Sequence, residues 1–345
     1  MATAGVTVLA GVARYDSAVP RVIAFILAAL ALAGDAWIVS TATEQVGRRL
    51  GAALTGVLQS TLGNLPEFFV VVFALNAGQK VVAETAILGS ILVNALLVLG
   101  LVIVIGSRRE RDGVMRFSVR LPNDTATLLL ITSFIIVLVA LATSSHDPAS
   151  HHIKSISVIT AVVLLISYGV WLLGYLNSEE SPEPEQQERT RPPVPLPTSL
   201  ILLAVAGTAS AFVSDWFVNA LQPTIESLHI SQAFAGLVIV AIAGNAVENA
   251  AGVVLAHRGR YELAISVVKN SVAQIAAFLY PLLVLVSILT ATRLTFALPP
   301  VYSGALFGTA LIVWQITGDG EATRFEGVAL MAAFVILATV AWFET

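Results

Sequence analysis

The sequence contains no cysteine, and only 12% of its 345 residues are charged. The absence of cysteine excludes disulfide bonds and thiolate metal sites and leaves the redox compartment undetermined. Soluble domains usually carry about 25% charged residues, so the few charges here cannot cover a water-facing surface of this size. The net charge of −4 is too small to indicate a nucleic acid partner. Because 57% of the residues are hydrophobic, we expect most of the surface to face the lipid bilayer.

Motifs of catalysis are also missing. The sequence has no nucleophile elbow, no phosphate-binding loop and no His-x-x-Glu metal motif, so we expect neither an enzyme nor a resident cofactor. The apolar stretch 1–13 is too short to cross a bilayer and lacks the basic start of a cleaved signal.

Long apolar segments dominate what is present. Each is about 20 residues or longer, which is the length that crosses a bilayer core as a helix. The segments cover residues 21–41, 52–76, 84–106, 124–143, 154–176, 198–220, 231–256, 262–289, 298–317 and 324–343. They predict an all-α membrane protein with about ten transmembrane helices, since strands of a membrane barrel would alternate in polarity.

An acidic, proline-rich stretch divides these segments into five and five. Residues 177–197 hold five glutamates and six prolines, a composition typical of a solvated tether, although a Ca²⁺-sensing role is an alternative. The predicted organisation is a short external segment (1–20), a first transmembrane repeat (21–176), a cytoplasmic linker (177–197) and a second transmembrane repeat (198–345).

Basic residues are distributed unequally between the two sides of the predicted bundle. Twelve of the 18 fall on the side reached after the first helix. These are Arg48, Arg49, Arg108, Arg109, Arg111, Arg116, Arg120, Arg189, Arg191, Arg258, Arg260 and Arg324. Because cytoplasmic loops carry the excess of Lys and Arg, we expect both termini outside, in a plasma (inner) membrane.

A fixed spacing relates the two halves. Gly63–Glu67 matches Gly244–Glu248, and the same spacing pairs Gly89-Ser90 with Asn270-Ser271. We call this spacing, from Gly63 to Gly244, the repeat offset. Two motifs at one offset indicate an internal duplication. Since five helices per half is an odd number, the second half enters the membrane from the opposite side, as in the inverted repeats of secondary transporters.

Glu67 and Glu248 are the leading candidate site residues. An ionisable residue inside a transmembrane helix costs about 2.5–3.5 kcal/mol on insertion scales and usually belongs to an ion or proton path. The alternative is a hydrogen bond between helices, which explains two glutamates related by a repeat less well than it explains one.

Oxygen-bearing side chains and glycines accompany both glutamates. Asn64 and Asn245 each precede a glutamate by three positions and share its helix face, while Gly63 and Gly244 weaken the helix and make carbonyl groups available. Ca²⁺ takes six to eight such oxygens, so these residues suit a hard cation; the glycines also suit close helix packing. Further candidate ligands, which equally suit interhelical hydrogen bonds, are Ser90, Asn94, Ser271 and Gln274.

Lys269 is a candidate modulator, because it lies inside a predicted helix directly before Asn270. Two placements are open. The favoured one has the side chain reach the cytoplasmic surface, where it has no effect on the site. In the other, the ammonium faces the glutamates and competes with a divalent cation.

The motifs resemble those of the Ca²⁺/H⁺ antiporter branch of the cation/Ca²⁺ exchanger superfamily. The resemblance rests on Gly63–Phe68 and Gly89–Gly100 in the first half, and on Gly244–Asn249 and Asn270–Ala276 in the second. It covers nearly the whole chain from about residue 20. Asn249 and Asn270 depart from the family pattern, as do Pro66 and Lys269.

This resemblance implies a secondary active antiporter that exchanges Ca²⁺ for H⁺ by alternating access at the paired glutamates, without a cofactor. The departures leave a Na⁺ or other monovalent cation/H⁺ exchanger as the alternative, followed by a passive cation channel. The expected partners are cations, protons and the lipid bilayer, and the sequence does not indicate an oligomeric state.

Overall fold

A computed structural model of the chain describes residues 2–15, 19–50, 62–176 and 195–344. Each predicted segment is largely helical within these ranges, while residues 52–61 and most of the linker lie outside them. The helices are α1 Ala2–Tyr15, α2 Arg21–Leu50, α3 Leu65–Asn76, α4 Lys80–Ser107, α5 Arg120–Ser144, α6 Ile153–Leu176, α7 Leu196–Leu228, α8 Gln232–Gly244, α9 Ala246–His257, α10 Tyr261–Leu289, α11 Pro300–Thr317 and α12 Arg324–Trp342.

Seven of these helices are long and apolar enough to cross a membrane, and counting α8 and α9 as one bent span makes eight. The helix α1 has 14 residues. Backbone polar groups in a bilayer have to pair within their own segment, which is why such apolar sequences form helices. The chain is therefore a multi-pass, helical membrane protein.

One small sheet joins two polar loops and was not expected from the sequence. Strand β1 (Val114–Arg116) pairs antiparallel with β2 (Glu321–Thr323), with Met115 opposite Ala322. The Arg116 side chain bridges to Glu321 across the strands at 3.1 Å. At the end of β2, the Thr323 side chain caps the first turn of α12 in a reciprocal arrangement with Glu326.

The repeat offset found in the sequence recurs in the secondary structure. It relates both ends of α3 to the two ends of α9, and it relates the first residue of α4 to that of α10. The turns between these helices contain Gly78 and Gly259, both with φ of +76°. This left-handed conformation favours glycine, so the same residue recurs where the same turn is made.

Helices α4 and α10 also share an irregularity. Each contains a π-helical segment, Val93–Val98 in α4 and Ile275–Leu279 in α10, and the repeat offset again relates their last residues, Val98 and Leu279. A further π-helical segment, Ala235–Val240, lies in α8. Such segments are rare and concentrate at functional sites in helices.

The chain forms two compact units. The first comprises residues 1–70 and 166–224, and the second comprises residues 71–165 and 225–345. Each unit therefore draws on both predicted repeats. Within the first unit, α1 packs along α2, where Thr3 lies against Gly34, and Gly11 lies beside Trp216 of α7.

Loops at one end of the second unit are joined by hydrogen bonds. Tyr261, at the start of α10, donates to Glu110 in the loop after α4, and the Ser118 backbone donates to Glu262. The sheet β1–β2 connects that loop with the one before α12. We call this the basic end, because the described loops and helix starts that meet here carry Arg108, Arg109, Arg111, Arg116, Arg120, Arg258, Arg260 and Arg324.

The opposite end of this unit is formed by the remaining loops. Asn76, at the end of α3, accepts a hydrogen bond from the Ala291 backbone, and Ser157 of α6 accepts one from Phe296. Ser231, just before α8, donates to the carbonyl of Ala341 near the end of α12. Successive loops of this unit therefore alternate between the two ends, as a chain crossing the membrane repeatedly requires.

Close contact between α4 and α8 depends on a glycine. A methyl group added at Gly89 would lie 2.6 Å from the Leu237 Cα, which is a backbone atom that cannot turn away. One position earlier on α8, a methyl group at Gly236 would lie 2.8 Å from the carbonyl oxygen of Val82. The two helix backbones thus approach each other directly, next to Ser90.

We predict that Gly89→Ala destabilises the protein by about 1–3 kcal/mol, since overpacking forces the backbones apart. Gly304→Ala in α11 is the matched control, because nothing lies within 4 Å of the added methyl group. It should be neutral or slightly stabilising, as alanine is the better helix former. Thermal unfolding in detergent measures both, and an unchanged Tm for Gly89→Ala would contradict the described contact.

Candidate functional site

The second-half motif lies at a break in the helix. Gly244 is the last residue of α8, and Asn245 leaves the helical conformation with φ of −95° and ψ of 14°. The chain resumes as α9 after a bend of 64°. Such a break releases backbone groups from the helical hydrogen-bond ladder, and polar side chains must then satisfy them.

Asn245 is buried and ties the break to α4. Its amide nitrogen donates to the Ala241 carbonyl at 3.0 Å and to the Ser90 hydroxyl at 2.8 Å. Its amide oxygen accepts from the amide nitrogen of Asn94 at 3.2 Å, and that nitrogen also donates to the Ser90 carbonyl at 2.9 Å. Predicted site residues from opposite halves of the chain are therefore in direct contact.

Glu248 lies in the first turn of α9, just after the break. The Ser271 hydroxyl of α10 donates to its carboxylate at 2.5 Å. The positive end of the helix dipole also favours a carboxylate at this position. Glu248 itself is only partly buried.

The first-half motif has the same local form in the first unit. Gly63 and Asn64 form a turn, α3 then begins at Leu65, and Glu67 lies in its first turn. Asn64 is 1% exposed and Glu67 is 8% exposed. Pro66 occupies the first turn, where no backbone donor is required. That Glu67 and Glu248 converge stays a prediction.

Gln274 is the last residue of α10 before the π-helical segment, and it is partly exposed. Within the described part of the chain, no group of three or more His, Cys, Asp or Glu side chains is placed to hold a metal. The predicted cation site differs from such a group, because it relies on two carboxylates supplemented by amide, hydroxyl and backbone oxygens.

The expectation that Lys269 reaches the surface is wrong. The residue is 2% exposed, and its ammonium donates to the Thr317 hydroxyl at 3.2 Å, at the last residue of α11. None of the ion pairs among the described residues includes it. The ammonium therefore lies at the negative end of the α11 dipole, which favours a positive charge.

Two further acidic residues are buried within helices. Glu84, which the sequence analysis did not single out because it begins a predicted segment, is 8% exposed on α4 and bridges to Lys80 at 3.3 Å. Asp35 of α2 is 4% exposed and accepts a hydrogen bond from Ser210 of α7. A carboxyl group four positions from a lysine was the signal available for Glu84.

Known proteins resemble this chain along almost all of its length. A "Vacuolar calcium ion transporter" of Schizosaccharomyces pombe is 32% identical over 321 residues, which cover 91% of this chain and 77% of that protein. A "Ca(2+)/H(+) antiporter" of Synechocystis sp. is 31% identical over 342 residues, which cover 93% and 91% of the two chains.

Solved structures share the fold. The structure of native YfkE superposes with a TM-score of 0.80 at 24% identity and covers 99% of this chain and 97% of its own. The H⁺/Ca²⁺ exchanger CAX superposes with a TM-score of 0.77 at 19% identity, over 98% and 87% of the two chains. The sequence profile of the sodium/calcium exchanger proteins matches residues 21–176 and 198–343, and the chain belongs to that family.

Proposed function

We propose that the protein is a secondary active antiporter that exchanges Ca²⁺ for H⁺ across the membrane by alternating access. The observation that carries this proposal is Glu248, held by Ser271 at a helix break, three positions after Asn245, whose amide bonds that of Asn94. The relative in Synechocystis sp., named a Ca²⁺/H⁺ antiporter, supports the choice of ions.

The cation would be held between the two repeats. Glu67 and Glu248 supply the charge, and Asn64, Asn245, Ser90, Asn94, Ser271, Gln274 and the carbonyl groups near Gly63 and Gly244 supply neutral oxygens. Ca²⁺ accepts a flexible shell of such ligands. Because a carboxylate binds either a proton or the metal, Ca²⁺ and H⁺ occupy the glutamates in turn. Two glutamates that exchange about two protons for one Ca²⁺ make transport electroneutral.

The proposed architecture is ten transmembrane helices in two inverted repeats, 21–176 and 198–345, joined by an acidic linker. The repeated boundaries of α3 and α9, the turns at Gly78 and Gly259, and the π-helical segments in α4 and α10 support the duplication. The equivalent turns at Gly78 and Gly259 lie at opposite ends of the second unit, which supports the odd number of crossings per repeat.

Alternating access requires parts of the chain that move as rigid bodies. The helices α2 and α7 belong to the first compact unit, and α4, α9 and α10 belong to the second. We propose that α2 and α7 move against the bundle that contains α3, α4, α9 and α10.

The proposed orientation places the basic end in the cytoplasm and both termini outside, in a plasma (inner) membrane. Eight of the twelve arginines that predicted this orientation lie in the described loops and helix starts of that end. Cytoplasmic loops carry such an excess of arginine and lysine. The linker 177–197, with five glutamates, would lie on the same side as a solvated tether.

We predict that Glu248→Gln and Glu67→Gln each abolish Ca²⁺ uptake driven by a pH gradient into proteoliposomes, because the amide neither binds a proton nor supplies charge. Glu321→Gln is the matched control, since Glu321 pairs with Arg116 on the exposed sheet. In the wild type, lower pH on the side from which Ca²⁺ enters should raise the Ca²⁺ concentration for half-maximal uptake, because protons compete for both glutamates. Undiminished uptake by Glu248→Gln would refute the assignment.

The alternative is a monovalent cation/H⁺ exchanger, which a positive charge at the site would favour. Because the Lys269 ammonium bonds Thr317, we predict that Lys269→Met changes the Ca²⁺ concentration for half-maximal uptake by less than about twofold. Lys154→Met, at an exposed position in the first turn of α6, is the control. A large gain in Ca²⁺ affinity in Lys269→Met, with Na⁺ exchange in the wild type, would favour the alternative.

A further inference from the structure

One face of α10 carries polar side chains at regular intervals. Ser266, Asn270 and Gln274 are spaced four apart, so they lie in a row along the helix. All three are partly exposed, whereas the other residues around them are largely buried. The buried neighbours are Ala264, Ile265, Val268, Lys269, Ser271, Val272 and Ala273. We call Ser266, Asn270 and Gln274 the α10 polar row.

Asn270 has an amide oxygen that the fold does not use. Its amide nitrogen donates to the Ser266 hydroxyl at 3.3 Å, in the direction of the basic end. Its amide oxygen is shielded and accepts no hydrogen bond from the part of the chain that the structure describes. A shielded oxygen without a donor costs about 1–3 kcal/mol, which a ligand can recover.

The position of Asn270 links this oxygen to the glutamate site. The next residue, Ser271, is the one that donates to Glu248. Asn249, the residue after Glu248, also has a shielded amide oxygen without a donor within the described ranges. Neutral oxygens that lack donors therefore belong to the residues next in the chain to both members of the Glu248–Ser271 pair.

The equivalent positions on α4, in the first repeat, do not form such a row. At the repeat offset, Thr85, Gly89 and Val93 occupy the equivalent positions, and all are buried. Gly89 is covered by the backbone at Leu237, and the Thr85 hydroxyl bonds the carbonyl of Val81 in its own helix. The α10 polar row thus has no counterpart at the equivalent positions of α4, so the repeated fold does not require it.

We propose that Asn270 is an affinity- and specificity-determining ligand, whose amide oxygen binds a divalent cation beside Glu248 on the side of the basic end. The inference rests on the proposed function. Ser266 holds the amide so that its oxygen is presented, and Gln274 continues the row toward the π-helical segment. Since Ca²⁺ prefers neutral carbonyl oxygens together with carboxylates, the row extends the site toward one side of the membrane only.

The test measures Ca²⁺ uptake driven by a pH gradient into proteoliposomes containing the full chain, over a range of Ca²⁺ concentrations. Asn270→Ala should raise the concentration for half-maximal uptake by about three- to tenfold, the loss expected for one neutral oxygen ligand. Asn270→Asp, which keeps the oxygen and adds charge, should lower it and shift the preference between Ca²⁺ and Sr²⁺. Asn219→Ala, at an exposed amide on α7 that bonds Asp215, is the control and should match the wild type.

Opposite shifts in Asn270→Ala and Asn270→Asp, with unchanged thermal unfolding in the absence of Ca²⁺, would support a ligand role. Equal half-saturation in the wild type and Asn270→Ala would overturn the inference and leave the proposed function intact. A similar loss in both variants, accompanied by a lower Tm, would also overturn it and assign Asn270 a packing role. Absence of Ca²⁺ uptake in the wild type would refute both the proposed function and this inference.

Discussion

The fold depends on hydrogen bonds that the protein itself makes to its buried polar groups, because water is absent from the membrane interior. Each buried amide or carboxyl left without a partner costs about 1–3 kcal/mol, and a bilayer offers no substitute. Asn245 makes such hydrogen bonds at the break between α8 and α9. It bonds Ala241 in α8 and Ser90 and Asn94 in α4. Side-chain hydrogen bonds therefore hold the bend of 64° between α8 and α9. Glu248 begins the next helix from this fixed point.

The same construction occurs twice at one offset, and the differences between the copies are informative. Both copies place a glutamate in the first turn after a Gly-Asn break and end in a glycine turn of the same conformation. The two copies differ in packing further along the chain. Gly89 allows α8 to contact α4 closely, whereas Asn270, at the equivalent position, carries an amide side chain. In a transporter built from inverted repeats, binding groups that differ between the repeats make the site unequal toward the two sides of the membrane. The α10 polar row is such a difference.

Much of this arrangement could be predicted from the sequence, because apolar length, repeated motifs and intramembrane glutamates are local signals. The helical segments and the exchanger family agree with those signals. Two candidate site residues from different halves of the chain, Asn94 and Asn245, are in direct contact. The bend at Asn245 could not be predicted, since a Gly-Asn pair shows where a helix weakens but not by what angle. The sheet β1–β2 depends on pairing between loops that lie in different halves of the chain. The buried position of Lys269 could not be predicted, because its partner, Thr317, belongs to a helix distant in the sequence.

The central claim is that metal and protons take turns on Glu67 and Glu248. Titration of the purified protein with Ca²⁺ in weakly buffered detergent solution, with a pH indicator, measures it most directly. The account predicts release of about two protons per bound Ca²⁺ at a pH where both glutamates are protonated, and about one in a variant that retains a single glutamate. Binding of Ca²⁺ without proton release, or release that is unchanged when either glutamate is replaced by glutamine, would contradict it.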